Sequence, residues 1–214
     1  MKKTVAILGL GKYGESLAQY MYKMGSDVLI VDINEEKLKE LSSSCTSAIR
    51  ADLTNEDEVL ALGLKNMDVV VVAMSGNLAA SIMSVSVANE QNVPVIVAKS
   101  NSDRMTSILK KIGADKIIVP ERLGARQSAM ILSSDNFLDY FEVDENLCMV
   151  EMNPLARWVG KNIIDLDLRK KYKVNVVAIK SGVNWVVIDP KKPLKKDDEL
   201  LIVVEQSELR KIKG

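Results

Sequence analysis

Histidine is absent from the chain. That removes the side chain that most often serves as general base, proton shuttle or metal ligand near neutral pH, so any acid–base chemistry would fall to lysine, tyrosine or a carboxylate. Cysteine occurs twice, at Cys45 and Cys148, and the wide separation suits two reduced thiols rather than a disulfide framework. An imbalance of charge is also missing. Lysine plus arginine and aspartate plus glutamate each number 29; cutting the sequence after Tyr140 leaves 15 basic against 17 acidic residues, then 14 against 12. Neither part has the basic excess of a nucleic-acid binder, and no nucleic-acid partner is expected. Long apolar runs are lacking too: Val69-Val70-Val71-Val72-Ala73-Met74 is halted by Ser75-Gly76-Asn77, far short of the ~20 residues that span a bilayer. No signal peptide is predicted at the amino terminus, so the expected location is cytoplasmic, with any membrane role exercised through a partner.

What is present starts near the amino terminus. Val5-Ala6-Ile7-Leu8 runs into Gly9-Leu10-Gly11-Lys12-Tyr13-Gly14, a GxGxxG turn, and a second apolar run, Val28-Leu29-Ile30-Val31, ends at Asp32. Each glycine answers a different steric demand: Gly9 the tight turn, Gly11 the close approach of a phosphate, Gly14 the packing of helix on strand. A helix beginning near Lys12 turns its free amides and positive dipole end toward the phosphates. Asp32 stands where a carboxylate accepts both ribose hydroxyls and repels a 2′-phosphate, favouring NAD or an adenosine nucleotide over NADP. The bland alternative is a carboxylate that merely caps a strand end.

The first 120 residues alternate short apolar strands with amphipathic helices, the pattern of a parallel sheet covered on both faces. Leu17, Ala18, Met21 and Met24 mark the apolar side of the first helix and Gly25 its end. Asn34 and Thr54 read as caps of the next two helices. Strands are predicted over 69–73, 94–98 and 116–119, and helices over 78–91 and 103–112. The fold class is α/β: a Rossmann-like doubly wound sheet with a second, smaller α+β domain. Predicted domains are 1–120 for nucleotide binding, 121–141 as a helical crossover and dimerisation linker, and 142–214 as a carboxy-terminal regulatory unit. That unit carries a strand at 147–152, a helix at 162–171, a hairpin of 174–180 with 185–188, and a last strand at 199–205. In the linker, Phe137, Tyr140 and Phe141 flank Leu138 and suit either an interface anchor or ordinary interdomain packing. The basic run from Lys191 to Lys196 reads as a solvated turn, with a membrane surface as the alternative.

The chain resembles, over essentially its whole length, the cytoplasmic regulator-of-potassium-conductance subunits of bacterial Ktr and Trk potassium-uptake systems, the Ktr type above all. The residues that carry the resemblance are the glycine turn, Val31-Asp32-Ile33-Asn34-Glu35-Glu36-Lys37, Ile112-Gly113-Ala114-Asp115-Lys116-Ile117-Ile118-Val119-Pro120-Glu121, and Ile163-Ile164-Asp165-Leu166-Asp167-Leu168-Arg169. The resemblance implies a homodimer that assembles into a homo-octameric ring beneath a membrane potassium-translocating subunit, with ATP or ADP changing the shape of the ring to gate that partner. The protein would then lie at the inner face of the membrane through its partner and catalyse no reaction.

Carried over by position, Gly9, Gly11, Lys12, Tyr13, Gly14, Asp32, Asn34, Asp52, Lys99 and Glu121 would hold the nucleotide: Asp32 at the ribose, Asn34 and Asp52 near the adenosine, Lys12 and Lys99 at the phosphates. Glu121 would approach the terminal phosphate through Mg²⁺ or a similar cation, since an acid beside a phosphate needs a positive charge between them. Lys12 departs from the arginine common in relatives and cannot make the same bidentate contact. In the second domain the resemblance implies a cyclic di-adenosine monophosphate (c-di-AMP) site at Ile163, Ile164, Asp167, Leu168, Arg169 and Asn175. Core packing remains the competing role for the isoleucines. Two other functions stay open: an NAD-dependent oxidoreductase, which the glycine turn alone would suggest, and a Trk-like regulator sensing NAD or NADH.

Overall fold

The structure, a computed structural model, describes residues 2–213; Gly214, at the end of the predicted second domain, lies outside them. The chain divides into two compact units between Glu121 and Arg122.

In the first unit, β1 (Thr4–Leu8), α1 (Lys12–Lys23), β2 (Asp27–Asp32), α2 (Glu35–Glu40), β3 (Ser47–Arg50), α3 (Glu56–Ala61), β4 (Val69–Val72), α4 (Leu78–Glu90), β5 (Ile96–Lys99), α5 (Asp103–Lys111) and β6 (Lys116–Ile118) follow one another. The strands form one parallel sheet in the order β3-β2-β1-β4-β5-β6. Alternation along the strands builds a core on each face. Val5, Ile7, Val28 and Ile30 pack with Ala18, Leu38 and Leu41 of the α1 and α2 side, while Ala6, Leu8, Leu29 and Val31 join Val59, Val85 and Leu109 on the other. Near-complete burial of two-sided strands is what makes them read as continuous apolar runs.

Asn34 caps α2 through the Glu36 amide, as expected. The α3 cap is Asn55, not Thr54: its side chain accepts from the Asp57 and Glu58 amides. Asn77 and Ser102 cap α4 and α5. Gly25, at φ +88°, donates its amide to the Tyr22 carbonyl (2.9 Å) just past α1. Met24 is exposed there rather than buried. The strand β3 was not expected; all four of its residues are exposed, so it offers neither alternation nor an apolar run to read.

α6 (Pro120–Leu132) leads into the second unit, where β7 (Phe137–Glu142), β8 (Leu147–Met152), α7 (Ile163–Leu166), α8 (Leu168–Tyr172), β9 (Val174–Ser181), β10 (Asn184–Val187) and β11 (Leu200–Glu205) are followed by a 3₁₀ segment, Gln206–Ile212. The antiparallel sheet runs β10-β9-β11-β8-β7. The segment predicted as the end of a linker is therefore a strand of this sheet, paired with β8. A register shift between Phe137 and Asp139 turns Phe137 and Tyr140 both inward, at 4% and 3% exposure, while Leu138 and Phe141 stay exposed. The helix predicted over 162–171 is broken in two at Asp167, whose φ is +47°. The 191–196 run is a solvated turn, pinned by buried Leu194 and by Lys191 and Lys195 amides donating to Asp189 and Asp198. Cys45 and Cys148 are free thiols, and burial pushes the Cys148 pKa up to about 11. Among the described residues no helix is long and apolar enough to cross a membrane.

Candidate nucleotide site and a second concavity

Parallel strands place all their carboxyl ends on one edge, and the order of this sheet reverses direction between β1 and β4, where doubly wound sheets bind ligands. The glycine turn leaves β1 at that point. Gly9 adopts φ +94°, and a Cβ there would collide with the Met74 side chain; its amide donates to the Val31 carbonyl (2.8 Å). Gly14 lies buried in α1, where a Cβ would run into the Gly9 carbonyl oxygen. Gly11 differs from both: its φ is −75° and an added Cβ would meet nothing within 4 Å. The packing of the fold therefore makes no demand for glycine at position 11. α1 starts at this glycine with no side-chain cap, unlike α2 to α5, so its first amides remain available to an anion.

Asp32 is half-buried and organises the turn. Its Oδ2 accepts the Leu10 amide at 2.7 Å and its Oδ1 the Asn34 amide at 2.9 Å. Each oxygen keeps a lone pair for a hydroxyl. Asp32 and Asp52 line one cleft of about 220 Å³ whose walls include Ile33, Leu53, Met74, Asn77 and Ala80. Asp52 Oδ1 accepts both the amide and the hydroxyl of Thr54, at 2.9 and 2.7 Å, and these bonds hold its carboxyl below the usual carboxylate value. Two carboxylates at the rim of an apolar slot suit the hydroxyls and amino groups of an adenosine.

Lys99 at the end of β5 and Glu121 in the first turn of α6 form an ion pair of 2.6 Å. The lysine side chain is 13% exposed and the carboxylate 66%, and the lysine's hydrogen bond draws the Glu121 pKa down. Lys12 is 98% exposed with Glu15 at 3.4 Å. Asn34 spends its side-chain oxygen on the α2 cap, and the Tyr13 ring packs against the α1-side core, where burial raises its pKa. No group of three or more carboxylate or cysteine side chains placed to hold a metal occurs among the described residues. A cation at Glu121 would therefore draw most of its ligands from a bound phosphate chain and water.

In the second unit all six residues expected at the other site line a single concavity of about 350 Å³, between α7, α8 and β9. Ile164 is 57% exposed and Leu168 only 2%; Ile163 rests against the core. Leu168 is thus chiefly a core residue, while Ile164, Asp167, Arg169 and Asn175 present themselves to solvent.

A TrkA-N domain model matches residues 5–120 and a TrkA-C domain model residues 148–213. This chain belongs to the TrkA-type Ktr/Trk potassium-uptake family. It is 37% identical over 204 residues to the Ktr system potassium uptake protein C of Bacillus subtilis, covering 95% of this chain and 92% of that one. The Ktr system potassium uptake protein A of the same organism is 34% identical over 213 residues, covering 99% and 96%. Among solved structures, the GsuK RCK domain superposes with a TM-score of 0.67 at 13% identity, over 100% of this chain and 48% of that one. The GsuK channel bound to NAD gives 0.67 at 13%, over 100% and 40%. These likenesses show the fold.

In this TrkA-type chain the site also contains residues that sequence reading did not supply. Thr54 orients Asp52. Asn77 reaches the cleft from the Ser75-Gly76-Asn77 loop and caps α4, a position its sequence before an apolar helix does signal. Lys37 donates from α2 to the Leu10 carbonyl (2.9 Å), a contact between residues 27 apart that no local pattern announces.

Proposed function

We propose that this chain is a nucleotide-sensing regulatory subunit that gates a membrane potassium-translocating partner and carries out no reaction of its own. The observation that carries this reading is the Asp32–Asp52 cleft beside a glycine turn with an open Gly11, at the reversal point of the sheet in a chain of the Ktr/Trk family. ATP or ADP is the ligand. Adenosine occupies the cleft, the α1 amides and Lys12 meet the phosphates, and Lys99 exchanges its carboxylate partner for the terminal phosphate. Mg²⁺ or a similar cation joins Glu121 to that phosphate. The protein works at the inner membrane face as a homodimer assembled into an octameric ring, with c-di-AMP as a second ligand in the α7–α8–β9 concavity.

Gating by population shift asks for a differential affinity of about 5.5 kcal/mol to take an equilibrium from 1:99 to 99:1. Divided over a ring of sites, the share of each is about that of one ordinary hydrogen bond. Calorimetry of the purified chain with ATP, ADP, AMP, NAD⁺ and NADH, with and without Mg²⁺, tests the reading. Binding of the adenine mononucleotides, lost in Asp32→Ala, is the expected result; binding of the dinucleotides alone would replace it with NAD(H) sensing. Turnover of NAD⁺ with an alcohol or hydroxy acid, abolished by Asp32→Ala, would replace it with an oxidoreductase. Titration with c-di-AMP, compared between the wild type and Arg169→Ala, tests the second site.

A further inference from the structure

The Leu10–Gly11 peptide is held at its carbonyl end by one side chain, the ammonium of Lys37. A peptide unit is planar and trans, so its N–H points opposite to its C=O, and fixing one fixes the other. The Leu10 oxygen is tied to Lys37 at 2.9 Å, and the Gly11 N–H of the same plane makes no hydrogen bond among the described residues. The preceding plane is fixed separately, through the Leu10 amide on Asp32 Oδ2 at 2.7 Å. Leu10 itself is fully buried, so its carbonyl cannot turn to solvent for a partner without cost. Glycine at position 11 removes the steric barrier that would otherwise resist rotation of this plane. With Lys37 absent, no other hydrogen bond among the described residues holds the Leu10 carbonyl in this orientation.

We infer that Lys37 is a positioning residue for phosphate: it locks the Leu10–Gly11 plane so that the Gly11 N–H is directed at the ligand before the ligand arrives. The use of that N–H rests on the nucleotide reading above; the lock itself does not. Lys37 lies one turn into α2, behind the Asn34 cap. The helix that follows Asp32 thus secures one plane of the glycine turn, and the Asp32 carboxylate the other. Preorganisation of this kind raises affinity by removing an ordering cost from the binding step.

The test uses the full chain as wild type, Lys37→Met and Lys37→Arg. Lys37→Met keeps the length and apolar stem of the side chain and removes the donor, whereas arginine keeps a donor. In the ligand-free proteins, ¹⁵N relaxation dispersion at the Gly11 amide is expected to show exchange between two peptide orientations in Lys37→Met and a flat profile in the wild type. Dispersion profiles in β2 and the rest of α2 should stay as in the wild type, and Lys37→Arg should restore the flat profile at Gly11. In calorimetry, Lys37→Met should weaken ADP by about tenfold, the scale set by one hydrogen bond to a charged group, and leave adenosine unchanged, since adenosine has no phosphate for the Gly11 N–H. A flat profile at Gly11 in Lys37→Met would overturn the lock. Equal weakening of adenosine and ADP would overturn the assignment to phosphate. Should the wild type bind neither ligand, the nucleotide reading fails by itself, and the dispersion data still decide the lock.

Discussion

Replacing Asp32 with asparagine is ordinarily a test of charge alone, because the two side chains have the same shape. Here the structure predicts a loss of fold stability as well. Asp32 receives one backbone amide on each oxygen, Leu10 on Oδ2 and Asn34 on Oδ1. An asparagine has one acceptor, and whichever way it is set, its NH₂ opposes one of those amides. The buried Leu10 amide will claim the oxygen, which leaves the NH₂ against the exposed Asn34 amide, where water can intervene. The variant therefore loses one charge-assisted bond and converts the other to a neutral one. At about 1 kcal/mol for each change the cost is about 2 kcal/mol in the ligand-free protein. For a unit of this size that corresponds to a Tm lower by about 8 °C.

Asp52 supplies the internal control. Both of its bonds, to the Thr54 amide and hydroxyl, end on one oxygen, Oδ1. Asp52→Asn can keep that geometry with its NH₂ turned outward and so loses no bond, and its Tm should fall less than that of Asp32→Asn. The assay is scanning calorimetry of the three ligand-free proteins. Asp32→Asn melting with the wild type would refute the claim that this carboxylate holds the glycine turn. Equal losses in Asp32→Asn and Asp52→Asn would show that removing an acidic charge is what matters.

Further outcomes follow from the same geometry. Gly11→Ala should leave the ligand-free protein as stable as the wild type or about 0.4–1 kcal/mol more stable, because its φ is accessible to alanine; nucleotide affinity should fall, as the methyl group enters the phosphate approach. Gly9→Ala and Gly14→Ala should instead lower Tm, as their Cβ atoms collide with Met74 and with the Gly9 carbonyl. On β8, burial and then the hydrogen bond that protonated Glu151 donates to the Glu199 carboxylate raise the Glu151 pKa, while Lys180, 2.5 Å from Glu199 and 3.8 Å from Glu151, draws the Glu199 pKa down. The raised group contributes stability that is complete below the ordinary glutamate pKa and disappears as pH rises through the raised value. Glu151→Gln, which mimics the protonated form, should therefore gain on the wild type in urea midpoint as pH goes from mildly acidic to neutral; a constant difference would contradict the shared proton. Asp167 and Lys173 both sit at positive φ, +47° and +56°. Asp167→Gly should be neutral or stabilising by about 1 kcal/mol in denaturant unfolding, and Asp167→Val destabilising.

The sequence made the first half of this fold legible because its strands are buried on both faces and its turn glycines have separate steric tasks. Gly9 and Gly14 behave as the fingerprint requires, and the one glycine assigned to phosphate is the one with open space. In the second unit, Ile163, Ile164, Asp167, Leu168, Arg169 and Asn175 line one concavity. Other elements gave no local signal. β3 is an exposed edge strand, and its residues obey no periodicity. The break at Asp167 puts a non-glycine residue into a left-handed conformation that propensity assigns to glycine. Phe137 and Tyr140 share a face only because of a bulge. The contacts made by Lys37 and between Lys99 and Glu121 join residues 27 and 22 positions apart, and such pairings arise from tertiary packing alone.

The Lys99–Glu121 pair bears on how the site responds to its ionic surroundings. In the proposed nucleotide complex, a phosphate reaching Lys99 would replace a carboxylate already seated there at 2.6 Å, so binding would exchange one ion pair for another instead of neutralising a bare cation. Dissolved salt screens the pair that is broken as it screens the pair that is made. The share of the affinity contributed at Lys99 should then vary little with ionic strength. In the proposed role, this exchange at Lys99 would let the subunit respond to nucleotide with less dependence on the salt that its partner alters.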